Sequence, residues 1–162
     1  MRYNFSTKLG IIGGITIVAT ICVLIYLLKM PYTGGPQGIA LSMYVAFTFF
    51  SVYSFCKKSP ESRGLKVFFS QGFKTFIIMT LFIVLFTFIF YKFNDRYLEN
   101  GIIANSQLIR DQGNHTEAEI IENNQKLRNI FMPMMLSFTT IILLILGSVS
   151  SVVAAAIFKK SN

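Results

Sequence analysis

"LGIIGGITIVATICVLIYLL" fills residues 9–28 without one charged side chain. A helix rises about 1.5 Å per residue, so about 20 such residues cross the roughly 30 Å hydrocarbon core of a bilayer. Arg2 and Lys8 precede the stretch, as basic residues precede a secretory signal. The apolar run is longer than a signal's core, and no A-x-A cleavage pattern follows it. We read it as a retained membrane span.

Three further stretches of the same kind follow, at about residues 38–56, 73–91 and 134–158. Pro133 stands before the last and is expected to open it, because proline fits the first turn of a helix. None of the four contains Asp, Glu or His, and the one cation within them is Lys74, which can snorkel to the headgroups. The composition agrees. The chain has 162 residues, is 53% hydrophobic and only 14% charged, and its mean hydropathy is +0.58. Soluble domains carry about 25% charged residues. The surplus apolar surface is expected to face lipid, which sets aside the nucleic-acid reading that a net charge of +8 would otherwise invite.

The charge is unevenly placed. Arg2, Lys8, Lys57, Lys58, Arg63, Lys66, Lys74, Lys159 and Lys160, against Glu61 alone, carry the whole +8. On the other side Lys29, Lys92, Arg96, Arg110, Lys126 and Arg128 balance Asp95, Glu99, Asp111, Glu117, Glu119 and Glu122. Basic residues gather on the cytoplasmic side, so both termini are expected inside and the number of spans even. The expected architecture is a single all-α membrane domain over residues 1–162, with four transmembrane helices and an external helical hairpin over about 92–132.

The connections fit this plan. "KMPYTGGPQ" at 29–37 is a short Pro- and Gly-rich turn that folds spans one and two into an antiparallel pair. In "KKSPESRGLKVFFSQGFK" at 57–74 a polar half precedes an apolar patch, which we expect to lie along the headgroups before span three begins. Residues 92–129 are polar, yet Tyr97, Leu98, Ile102 and Ile109, and then Ile120, Ile121, Leu127 and Phe131, recur at helical spacing around a break at "QGN". The spacing predicts that span three continues as a helix to about Asp111, turns at 112–115, and returns as a helix into span four. Thr116 and Glu119 have capping-box spacing, and acids suit a helix N-terminus.

Small residues mark close helix approach in lipid. Span one carries Gly10 and Gly14, span two Gly38, Ser42 and Ala46, and span four Gly147, Ser151 and Ala155. Span three is rich in Phe, with Thr80 and Thr87 one heptad apart. From this, spans one, two and four are expected to make the tighter contacts, with span three more lipid-facing. Packing within the chain is the simpler reading of these stripes, and a homo-oligomer or partner seam the alternative.

Reactive chemistry is sparse. Cys22 and Cys56 fall at different depths and are not expected to pair, and with one His they do not make a metal site. His115 stands near Asp111 and Glu117, but in a turn and without a nucleophile motif. "NHT" at 114–116 matches a glycosylation sequon, a match common by chance. No ionisable group inside a span suggests coupled transport. We expect no enzyme, cofactor, metal or nucleic-acid partner. Two groups remain as candidate contacts: Ile120, Ile121 and Leu127 as a partner-binding face, and Lys57, Lys58, Arg63 and Lys66 as contacts for anionic lipid.

The four spans, "SQGFKTF" at 70–76, the polar segment ending at Pro133 and the closing "LGSVSSVVAAAIFKK" at 146–160 together resemble a bacterial membrane family. It is the domain-of-unknown-function family numbered 4199, typical of Bacteroidota. The resemblance implies a bacterial inner-membrane protein, assigns no activity and carries over no catalytic residue. It also implies a place beside polyprenyl-phosphate sugar or envelope synthesis. The expected function is an accessory or scaffold subunit of a larger membrane complex, with membrane lipids and another integral membrane protein or a second copy as partners. The alternative is a lipid-handling, flippase-like accessory to that synthesis.

Overall fold

The computed structural model describes residues 4–30, 34–58, 64–113 and 116–160. Every regular element among them is helical. They are α1 (Asn4–Cys22), a π-helical turn (Val23–Leu27), α2 (Gly35–Lys58), α3 (Leu65–Phe93), α4 (Asp95–Gln112) and α5 (Glu117–Lys160). Four helical stretches, Phe5–Leu27, Gly35–Lys58, Leu65–Phe93 and Glu117–Phe158, are long and apolar enough to cross a membrane. Each covers one of the four predicted spans, the first to within one residue. The protein is an all-α membrane protein, and its two cysteines are free.

The residues fall into two compact units, Met1–Ile83 with Thr140–Asn162, and Val84–Thr139. The first unit holds α1, α2, the first part of α3 and the last part of α5. Its lower core is Val52, Phe55, Cys56, Phe68, Ala154 and Ala155, with Phe49, Phe69 and Phe158 packed against it. The second unit holds the end of α3, all of α4 and the first part of α5. Phe90, Tyr91, Tyr97 and Phe131 form an aromatic chain in it, with ring centroids 5.1–5.7 Å apart.

Local chemistry sets the helix ends. α1 loosens into a π turn in which the Leu28 amide reaches the Val23 carbonyl and the Met30 amide that of Leu24, and Lys29 then takes a positive φ of 52°. In α2, Pro36 occupies the first turn, where its missing N–H costs nothing. α4 stops at Gly113, whose φ of 69° closes the helix in the left-handed conformation.

Three expectations need correction. The apolar patch at 65–69 is not a separate segment on the headgroups but the first turns of α3. Span three does not run unbroken to Asp111. It ends at Phe93, and Asn94 leaves the helix at φ −129°, ψ 69°. The Asn94 side-chain amide donates to the Phe90 carbonyl at 2.8 Å, satisfying an acceptor that the helix end would leave open. Pro133, finally, does not open a helix but lies inside α5. It withdraws one donor from the ladder, a loss that membrane helices tolerate where neighbouring groups compensate.

Candidate functional site

The polar side chains of the first unit serve its own packing. On α3, Gln71 and Thr75 lie one turn apart, so both point the same way. The Ser6 hydroxyl of α1 donates to Gln71 Oε1 at 2.6 Å. The Thr75 hydroxyl stands 3.1 Å from the carbonyls of both Ser6 and Gln71, to either of which it donates, and it shares a 2.6 Å bond with the Ser51 hydroxyl of α2. A second hub lies nearer the start of α2. There the Tyr44 phenol donates to the Leu143 carbonyl of α5 at 2.9 Å and shares a 2.9 Å bond with the Thr80 hydroxyl of α3. Tyr44 is fully buried. Among the described residues no buried side-chain polar atom lacks a partner. Unpaired polar groups are costly in an apolar interior, so these two hubs fix which faces meet.

The small residues expected to mark close packing divide in two. Gly10 lies against the Thr75 carbonyl and Ile78, and Gly14 against Phe82. Gly147 lies against Phe76 and the Tyr44 hydroxyl. The Ser151 hydroxyl fills the hollow of Gly72 and donates to the Phe69 carbonyl at 3.0 Å, and Ala155 belongs to the lower core. The stripe on α2 differs. Ser42 and Ala46 are exposed, and a Cβ built on Gly38 would meet nothing within 4 Å.

The contacts of Gly10, Gly14 and Gly147 all involve α3, which overturns the expectation that span three is the more lipid-facing one. Phe68, Thr75, Phe76 and Met79 of α3 are fully buried. Small residues on one helix receive large ones from another, and α3 supplies the large ones. Sequence reasoning missed Gln71 and Thr75. The signal was available, since polar groups inside an apolar span need partners.

The charged groups of the second unit pair across the two arms of a helical hairpin. Arg128 meets Glu99 through two contacts, at 2.7 and 3.0 Å. The Ser106 hydroxyl donates to Asn124 Oδ1 at 2.9 Å, and Arg110 reaches Glu117 at 2.9 Å. The capping box forms as the spacing predicts. The Thr116 amide donates to the Glu119 carboxylate at 2.7 Å, and the Glu119 amide donates to the Thr116 hydroxyl at 3.3 Å. A groove of about 340 Å³ is lined by Ile109, Glu119, Glu122, Asn123 and Lys126. Its charges are already engaged, because Lys126 pairs with Glu122 at 2.6 Å.

Of the expected partner face, Ile120 is only 2% exposed and so is not available to a partner. Its neighbour Ile121 is 55% exposed, because adjacent residues on a helix point about 100° apart. Leu127 is half-buried. Of the expected lipid contacts, Lys57, Lys58 and Lys66 are exposed, while Arg63 and the turn residue His115 lie outside the described residues. Among the described residues no three His, Cys, Asp or Glu side chains gather as a metal site would require.

These features define a membrane protein with four apolar helices and a charged, internally paired helical hairpin. The family model described as "Protein of unknown function (DUF4199)" matches residues 8–160. The chain belongs to that family. No curated protein and no solved structure matches it.

Proposed function

We propose that this chain is a non-enzymatic subunit of the bacterial inner membrane that holds or regulates a larger integral membrane protein. In this reading both termini are cytoplasmic and the hairpin is the external arm. What supports it above all is the outer surface of the hairpin. Ile103 and Leu108 on α4, and Ile121 and Ile130 on α5, are each more than half exposed, in a segment too highly charged to sit in lipid. A partner packed on the hairpin would cover these apolar side chains. The paired charges of the arms then act as a brace that presents those side chains.

Purification at native expression in several mild detergents, followed by mass spectrometry, tests the proposal. The expected result is one integral membrane protein recovered in fixed ratio, with a photo-crosslinker at Ile121 attaching to it. Free monomer in every detergent would overturn it.

A further inference from the structure

We propose that the end of the first unit where α2 stops is a docking surface for anionic phospholipid headgroups, with Lys57, Lys58 and Lys66 as its contacts. The argument starts from charge. Five of the 15 basic residues, Lys92, Arg96, Arg110, Lys126 and Arg128, lie in the second unit with six of the seven acids. The other ten share the first unit with a single acid, Glu61. In the second unit Arg110, Lys126 and Arg128 rest on Glu117, Glu122 and Glu99. The first unit has one carboxylate side chain for ten basic ones, so most of its neutralising charge has to come from outside the chain.

Packing gathers Lys57, Lys58 and Lys66 at one end. Lys58 Nζ sits 3.7 Å from the centroid of the Phe5 ring, joining the end of α2 to the start of α1. Tyr53 meets Phe158 at 5.3 Å, bringing in the end of α5. Phe55 meets Phe68 at 6.0 Å, bringing in the start of α3, where Lys66 is exposed. Lys57 Nζ lies 4.9 Å from the centroid of its own helix's Tyr53 ring. A ring face draws an ammonium group without neutralising it, so Lys57 and Lys58 are held in place without losing their charge to the ring. Two lysines in a last turn also offset the helix dipole, but that dipole amounts to about half a charge. An anionic phosphate at the membrane surface has the missing charge and the right depth. Basic residues beside a span draw such lipids about fivefold per charge.

The test uses the full-length protein in nanodiscs made from equal parts of phosphatidylglycerol and phosphatidylcholine. The protein is extracted gently, and its retained lipids are counted by native mass spectrometry. The expected result is selective retention of phosphatidylglycerol, a fall of on the order of tenfold or more in K57Q/K58Q, and full retention in K57R/K58R and in K29Q. Equal retention of the two lipids by the unaltered protein, or undiminished phosphatidylglycerol in a folded K57Q/K58Q, would overturn the proposal. If K57Q/K58Q does not fold, salt decides on the unaltered protein. Retention that weakens as salt rises supports docking by charge, and salt-independent retention overturns it.

Discussion

The Tyr44 phenol reaches the Leu143 carbonyl across 2.9 Å, and it does so one turn before Gly147, where α5 has no side chain in the way. A Cβ at position 147 would lie 2.6 Å from the phenol oxygen and 2.5 Å from Phe76 Cδ2. The Phe76 side chain is itself fully buried and has little room to move.

Gly147→Ala is therefore expected to destabilise the first unit by about 1–3 kcal/mol, the usual cost of overpacking. Gly38→Ala is the matched control, because nothing stands within 4 Å of its added methyl, and it should cost nothing. Unfolding of both variants in mixed detergent micelles measures the difference. Equal losses would show that the hollow at 147 is not a packing contact.

Tyr44→Phe keeps the ring and removes the hydroxyl. Hydrogen bonds between helices in lipid average about 0.6 kcal/mol and reach about 1.7. A loss in that range is expected, and it should not add to the loss from Thr80→Val, because the two hydroxyls share one 2.9 Å bond. A double-mutant cycle on unfolding free energy checks the coupling. Strict additivity would separate the two groups.

Thr116→Ala removes one half of the capping box and should cost about 1 kcal/mol locally. The expected sign is faster amide hydrogen exchange in the first turn of α5, by about fivefold, with the first unit unchanged. Exchange mass spectrometry on intact protein in detergent reads this directly. Protection that stays the same would mean the box is not holding the turn.

Arg128 and Glu99 are about half exposed, at 54% and 44%, so their pair is screened by solvent and worth about 0.2–1 kcal/mol. Arg128→Glu should open the hairpin slightly, and adding Glu99→Arg should close it again. Both effects should shrink as salt is raised. A spin-label pair across the arms of the hairpin reports the separation, and failure of the exchanged pair to restore it would count against an electrostatic brace.

The four spans were legible because charge is so costly in lipid that an uncharged apolar run of this length marks a crossing helix. The capping box was legible because it depends on two residues three apart and on nothing distant. The role of α3 was not legible in the same way. Its Phe residues look alike in sequence, and distant partners decide which rings turn inward, as the hollows at Gly14 and Gly147 do for Phe82 and Phe76. The break at Asn94 was hidden for a similar reason. It rests on one side-chain amide closing on the Phe90 carbonyl, and an asparagine in a polar helical pattern does not announce that. Pro133 misled because a first-turn position costs proline least, whereas the helix here runs on through it from Glu117. The exposed stripe of Gly38, Ser42 and Ala46 shows the converse. The same spacing that marks contacts on α1 and α5 marks none on α2.

The interlock at Tyr44 also bears on how the protein is made. α1 and α2 leave the ribosome first, but the hollows at Gly10 and Gly14 lie against α3. The Tyr44 hydroxyl meets Thr80 once α3 has followed, and its acceptor Leu143 only with α5, the last of these helices to be synthesised. Until α3 and α5 arrive, a polar group on an early helix in lipid lacks these partners. An interrupted chain would keep that flaw, and membrane quality control would have a chemical difference by which to tell an unfinished product from a finished one.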